Sequence, residues 1–371
     1  PTDAWVEILC AGSLAGFTMG DRTQARALAV RAIELSRSVP DSVGFGLAVS
    51  MLALSAGFGL DPEFLALLPE ALDRAVPGSP EHIGLLGQEL FVATYLGSVD
   101  ISVKGPALVE LAEQAGDEQS FILATTSVAY AGQAAIPATS TLGYSDLADR
   151  RASAMTPLRR ASHLLARSYA LIRLDRRVDA RACAIELRDL SVRHSFDVLV
   201  AAGHQVLAMI DLAEGHLDRA ADEIEAVRHH APTEPMMRAG CAIQEVWMSH
   251  LRGDDEAALA QVDGLTGLPY PVLITATRGW LAARAGRPEA AADAAVELAA
   301  LDLASLPTNW TSPGLWTMAG MLAAEVGHAG LGAQVEPLLA PLAGEQVIYV
   351  CNFVVGPVDD TLGDLAVLSG R

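Results

Sequence analysis

The feature that most constrains this chain is a punctuation mark. In "LAARAGRPEAAADAAVEL" (281–298) an alanine-rich run stops at Gly286 and a second begins at Pro288. Glycine takes the left-handed conformation that closes a helix, and proline suits the first turn of the next helix, where its missing N–H costs nothing. The stretch therefore predicts two helices joined by a tight corner. Similar corners occur at Gly20, Gly215, Gly253, Gly327 and Gly370, and Asp175 stands at the equivalent point of "LIRLDRRVDARACAI". From Asp175 onward the corners lie 33 to 43 residues apart.

Two offsets sharpen the pattern. Five residues after a corner stand Ala25, Ala180, Ala220, Ala258, Ala291 and Gly332. Seven before stand Ser13, Ser168, Ala208, Val246, Gly279, Gly320 and Gly363. Only Val246 is not small. Small residues facing each other let two antiparallel helices approach closely. The pattern resembles the tetratricopeptide repeat, a helix pair of ~34 residues, with a looser and longer period. The expected fold class is all-α, a right-handed superhelical solenoid of about nine or ten antiparallel helix pairs, running over 1–371 as a single domain.

The repeats are clearer over 156–371 and weaker over 41–155. In the weaker part, hairpins near 41–76, 79–116 and 117–154 lack the Gly-Asp corner. Three stretches read as longer connections: "AIPATSTLGYS" (135–145), "ASLPTNWTSPG" (304–314) and "AGEQVIYVCNFVVGP" (343–357). The last is β-branched and aromatic, which predicts an extended segment. A start at Pro1 and a half repeat at Arg371 suggest a fragment of a longer chain.

The bulk numbers exclude several functions. Net charge is −20, from 45 acidic and 25 basic residues, and no basic run exists to hold a phosphate backbone. Direct nucleic-acid binding by this segment is not expected. Ser42–Leu60 is uncharged over 19 residues, a length that could span a bilayer. Its four glycines and three serines, and the bracketing Asp41 and Asp61, instead suit a helix buried between neighbours. Similar uncharged runs occur at 120–145 and 303–324, so no membrane role is expected. Cys10, Cys183, Cys241 and Cys351 lie far apart, which fits free thiols in a cytoplasmic protein.

Catalytic chemistry finds little footing, and no catalytic residue is assigned. "AGSLAG" (11–16) lacks the G-x-S-x-G spacing and the strand-to-helix context of a nucleophile elbow. His229 and His230 are adjacent on a helix and point to different sides, so they do not offer one metal two ligands. The acidic runs "DDEAAL" and "ADEIEAV" read as solvated faces and partners of helix N-termini. No cofactor and no metal are expected.

The last stretch, "VVGPVDDTLGDLAVLSGR", carries Gly356, Pro357, Val358, Leu362, Gly363, Leu365, Ala366, Gly370 and Arg371 in a G-P-V-x-x-x-L-G-x-L-A-x-x-x-G-R pattern. It is similar to the helical region of the large ATP-binding LuxR-type regulators of actinobacteria, related to the maltose regulator, and of the cyclase-ATPase proteins that share that region. The resemblance implies a tetratricopeptide-like sensor region between a signalling ATPase and, often, a helix-turn-helix DNA reader. Neither activity passes to this segment, which has no G-x-x-x-x-G-K-[ST] motif and a single lysine, Lys104.

In such hairpins the first helix lines the concave side. The position six before each corner reads Tyr169, Met209, Trp247, Trp280 and Met321, with Gln205 and His250 one helical turn away. Large adaptable side chains along a groove suit a protein or peptide segment, or a small hydrophobic effector. The plainer alternative is that they fill the interior of a tight superhelix. The expected function is a non-catalytic sensor or interaction region of a transcriptional regulator. Its rivals are a structural scaffold that forms homo-oligomers and, with the least support, an enzyme on a helical frame.

Overall fold

The computed structural model describes residues 2–38, 44–55, 61–97, 100–133, 136–265 and 270–371. Nineteen α-helices occur among them. The first half holds α1 (Thr2–Thr18), α2 (Arg22–Arg37), α3 (Gly44–Ser55), α4 (Pro62–Arg74), α5 (Pro80–Leu96), α6 (Ile101–Ala115), α7 (Glu118–Ala131) and α8 (Ala138–Asp149). The second half holds α9 (Pro157–Arg173), α10 (Arg177–Arg193), α11 (Asp197–Ala213), α12 (Leu217–His230), α13 (Pro235–Leu251), α14 (Asp255–Gly264), α15 (Pro271–Arg284), α16 (Pro288–Ala299), α17 (Ser312–Val326) and α18 (Ala329–Leu339). A hairpin of β1 (Gln346–Tyr349) and β2 (Phe353–Pro357) follows, then α19 (Val358–Leu368). Neighbouring helices pack in series, as in a helical solenoid.

The corners do what the offsets require. Gly286 sits at φ +72°; its N–H bonds to Ala283 O, and Arg287 N–H reaches back to Ala282 O, which closes α15. Asp175 takes the same left-handed conformation at φ 56°. The two small positions of a pair meet directly: Ser13 Oγ donates to Ala25 O at 2.7 Å. A Cβ on Gly279 would lie 2.7 Å from Ala294 Cβ and 2.8 Å from Leu322 Cδ2, so only glycine allows α16 and α17 to approach α15 there.

Burial separates two layers. Thirteen of the seventeen residues of α11 are buried, against three of the fourteen in α12, whose single stripe is Ala220, Ile224 and Val227. The α9, α11, α13, α15 and α17 series forms the inner layer, and α10, α12, α14, α16 and α18 the outer one. The stack curls until its first helices meet its middle: α1 approaches α11, and Arg22 pairs with the buried Glu234 at the start of α13.

One of the three longer connections is a helix instead. Residues 138–149 form α8, although Pro137 offers its first turn no side-chain cap. The free N–H of Ala138 is taken by Glu345 Oε1 at 2.8 Å, from 207 residues away. The second connection is largely exposed over 304–308 and turns inward at Trp310, whose backbone N–H bonds to Thr94 O at the end of α5. The third, 343–357, is extended as its composition requires. Within Ser42–Leu60, the described part is α3, buried along most of its length; residues 42, 43 and 56–60 lie outside the described residues. No helix among the described residues is long and apolar enough to cross a membrane.

Candidate interaction site on the inner wall

The inner wall is occupied by the chain itself. The β1–β2 hairpin lies against the inner helices, with Gln346 opposite Pro357, Tyr349 opposite Phe353, and a bulge between Val347 and Ile348. Its seat is specific rather than merely apolar. The Phe353 ring stacks on Trp247 (centroids 4.3 Å apart, 10° between planes) and on Tyr349 (4.6 Å, 11°). Gln205 Nε2 donates to Asn352 Oδ1 at 2.8 Å. Gln244 Nε2 donates to the carbonyls of Gln205 (3.0 Å) and Asn352 (2.8 Å). The Tyr349 and Thr277 hydroxyls share a hydrogen bond of 2.8 Å.

At the hairpin's foot is a buried ion pair. Arg173, 4% exposed at the end of α9, donates through Nη2 (2.6 Å) and Nε (3.0 Å) to Glu345 Oε2. Its remaining donors reach Ile136 O (2.9 Å) and Gly132 O (3.3 Å). Burial pulls the Arg173 guanidinium below its ordinary pKa, and Glu345 opposes that shift.

The seven residues that the repeat frame places on the concave side divide in three ways. Tyr169, Gln205 and Trp247 meet the hairpin: Tyr169 lines the same small cavities as Cys351, Gln205 bonds with Asn352, and Trp247 stacks on Phe353. Trp280 and His250 extend this aromatic cluster, His250 edge-on to Trp280 at 4.7 Å and bonded through Nδ1 to Asp255 at 2.5 Å. Met209, fully buried, belongs to the core around α9–α13, while Met321 is partly buried against the C-terminal core.

Sequence reasoning missed Arg173, Gln244 and Thr277 on the wall, and Glu345, Tyr349, Asn352 and Phe353 on the hairpin. A signal existed for two of them. Gln244 and Thr277 are polar residues inside apolar helices, each nine positions before a corner glycine. Nothing local marks the hairpin residues as partners of the wall.

Two adjoining cavities, about 20 and 40 Å³, flank the hairpin tip and share Tyr169, Trp310 and Cys351 as walls. Burial pushes the Cys351 thiol up to about 12, against the opposing effects of Tyr169 and Arg173, and raises the Tyr95, Tyr130 and Tyr169 hydroxyls well above their ordinary range. At neutral pH these groups are protonated and uncharged, so the region offers hydrogen bonds and aromatic faces rather than a nucleophile.

Two clusters lie elsewhere. Asp211, Glu214 and His216 bring ligand atoms within 4.8 Å of one another. Asp211 Oδ1 already accepts from Arg181 (2.7 Å) and Arg219 (2.8 Å), and these cations balance the two carboxylates. His204 and His230 stack at 5.7 Å, and His229 lies edge-on to His230 at 5.1 Å. Burial, with the neighbouring His204 and His229, lowers the His230 pKa. Comparison of the sequence with protein-family models and with curated proteins gave no match.

Proposed function

We propose that this chain is a non-catalytic interaction region whose inner wall receives an extended protein segment, within a larger transcriptional regulator of the kind its C-terminal motif resembles. In this reading the stack winds as a right-handed superhelix and works as the sensor of that regulator. The observation that carries it is the seating of the hairpin. A wall that recognises one extended segment through stacked rings and amide hydrogen bonds has the chemistry to recognise another. An extended segment is favoured over a small hydrophobic effector, because the wall's contacts are spread over α9, α11, α13 and α15 rather than gathered round one pocket.

A synthetic peptide of residues 343–358, added in trans, tests the reading. In a chain carrying Tyr349→Ser and Phe353→Ser, whose own hairpin is weakened, the fluorescently labelled peptide is expected to bind saturably. Adding Trp247→Ala should weaken that binding at least tenfold. No saturable binding to the weakened chain, or equal binding with and without Trp247, would refute the wall as a segment receptor.

A scaffold reading has one specific observation in its favour. On α1, Trp5 and Ile8 are 61% and 58% exposed and lie one turn apart, an apolar face suited to contact with another molecule.

A further inference from the structure

We propose that residues 345–357 form a hinged strap that closes the inner wall against partners and is displaced by an extended segment with a carboxylate four residues ahead of an aromatic ring. This rests on the reading of the wall as a segment receptor and adds its regulation. Four features of the hairpin point the same way.

A glycine precedes its first strand and another lies within its second, each in a conformation that other residues rarely adopt. Gly344 has φ +83° and Gly356 φ +148°, and at neither does any atom lie within 4 Å of where a Cβ would be. Glycine is required there by backbone conformation rather than by crowding, as at a hinge. Val358 N–H donates to Glu345 O at 2.9 Å and ties the two feet together, so the hairpin moves as a unit.

Its tip is strained. The turn closes with Asn352 N–H on Tyr349 O at 2.8 Å, and both central residues have positive φ, Val350 at 48° and Cys351 at 59°. Such a turn favours Asn-Gly; a β-branched valine there is an outlier. Strain of this kind persists only where the surroundings enforce it, and here the surroundings are the closed wall. Val350 and Asn352 are buried there, and two small cavities adjoin Cys351.

Its contacts are exchangeable. Gln205, Gln244 and Thr277 present groups that water or another backbone could satisfy once the hairpin lifts. These polar contacts lie beside an apolar seat, where Val347, Tyr349, Val350 and Phe353 join the core.

Its latch is chemically distinct. Glu345 stands just beyond the Gly344 hinge and holds both Arg173 and the open end of α8. The spacing of Glu345, directly ahead of β1, and Tyr349, four residues on at its end, defines the competitor, an acidic group followed by an aromatic residue, while Phe353 faces Tyr349 from β2.

Hydrogen exchange of the whole chain, followed by mass spectrometry without peptide, tests the strap. In the wild type, amides of 346–357 are expected to exchange faster than those of α11 and α13, at a rate insensitive to low urea. Glu345→Gln should speed that exchange at least tenfold while α11 and α13 keep their protection. Phe353→Leu, a milder change, should do the same in smaller measure. If the hairpin exchanges only together with α11 and α13, in the wild type or in both variants, it is a fixed structural member and the proposal fails. Because no peptide is present, this outcome is independent of whether the wall binds one in trans.

Discussion

The buried pair at the hairpin's foot allows the sharpest energetic test. Arg173 has two donors on Glu345 and two on the carbonyls of Gly132 and Ile136. Two unit charges 4 Å apart attract by about 4 kcal/mol at an effective dielectric of 20. Glu345→Gln keeps an acceptor for Ala138 N–H but leaves a guanidinium that is 4% exposed without its counter-charge. Breaking a buried pair from one side costs about 3–5 kcal/mol, because the remaining charge stays desolvated. Arg173→Met leaves the carboxylate in the same position and should cost a similar amount. The double variant Arg173→Met/Glu345→Met leaves no charge behind. It loses only the hydrogen bonds to Ala138, Gly132 and Ile136, about 2–4 kcal/mol at about 1 kcal/mol each. The double variant should therefore fall short of the sum of the singles by at least about 2 kcal/mol. Urea unfolding followed by tryptophan fluorescence and far-UV circular dichroism measures all four proteins. Costs that add to within about 0.5 kcal/mol would mean that the two groups act independently, and the latch would be refuted.

Two further outcomes follow from single positions. A Cβ on Gly240 would lie 2.0 Å from Gln205 Nε2 and 2.6 Å from Asn352 Oδ1, so Gly240→Ala should break that amide pair, cost about 1–3 kcal/mol and shift Trp247 emission; an unchanged melting curve and spectrum would contradict the close approach. For Asp149, burial alone would raise the pKa, but His163 (2.9 Å), Arg167 (3.2 Å) and Arg160 (2.7 Å) outweigh it and hold the carboxyl at about 2 instead of 3.8. Its folded-state pKa is depressed, so its stabilisation is present above about pH 4 and lost as pH falls from 4 towards 2. At 1.36 kcal/mol per unit this is about 2 kcal/mol, and Asp149→Asn should cost that amount at pH 7 and flatten the acid limb of stability over this window; an unchanged limb would contradict the assignment.

The helix pairs were legible because the information is local. The corner glycines and the small positions flanking them lie within a dozen residues of one another, and Ser13 and Ala25 touch as that spacing requires. The weaker first half uses other corners: Gly97 closes α5 at φ 62° and Gly116 closes α6 at φ 72°, each followed by an aspartate that caps the next helix, Asp100 and Asp117. Helix α8 was illegible because its cap is tertiary. Pro137 has no side chain able to cap, and the residue that satisfies Ala138 comes from the far end of the chain. The inner wall was half legible. Periodicity told which face of each inner helix points inward, so Tyr169, Gln205 and Trp247 could be named. It could not tell what crosses that face, since the Gln205–Asn352 and Arg173–Glu345 contacts span 147 and 172 residues.

The hairpin also changes how the stack should be understood. In a simple solenoid each repeat touches only its neighbours, so stability is a sum of local terms and curvature is free to vary at every joint. Here one short element touches α8 through Ala138, α9 through Arg173, α11 through Gln205, α13 through Gln244 and Trp247, and α15 through Thr277. These side chains fix the spacing of successive inner helices against a single ruler. A segment that replaced the hairpin would carry its own spacing of ring and carboxylate, and the inner helices would have to follow it. A ligand shifts an equilibrium only through a difference in affinity between two states, and two different rulers on one wall supply that difference. Occupancy of the wall and curvature of the stack would then be one variable.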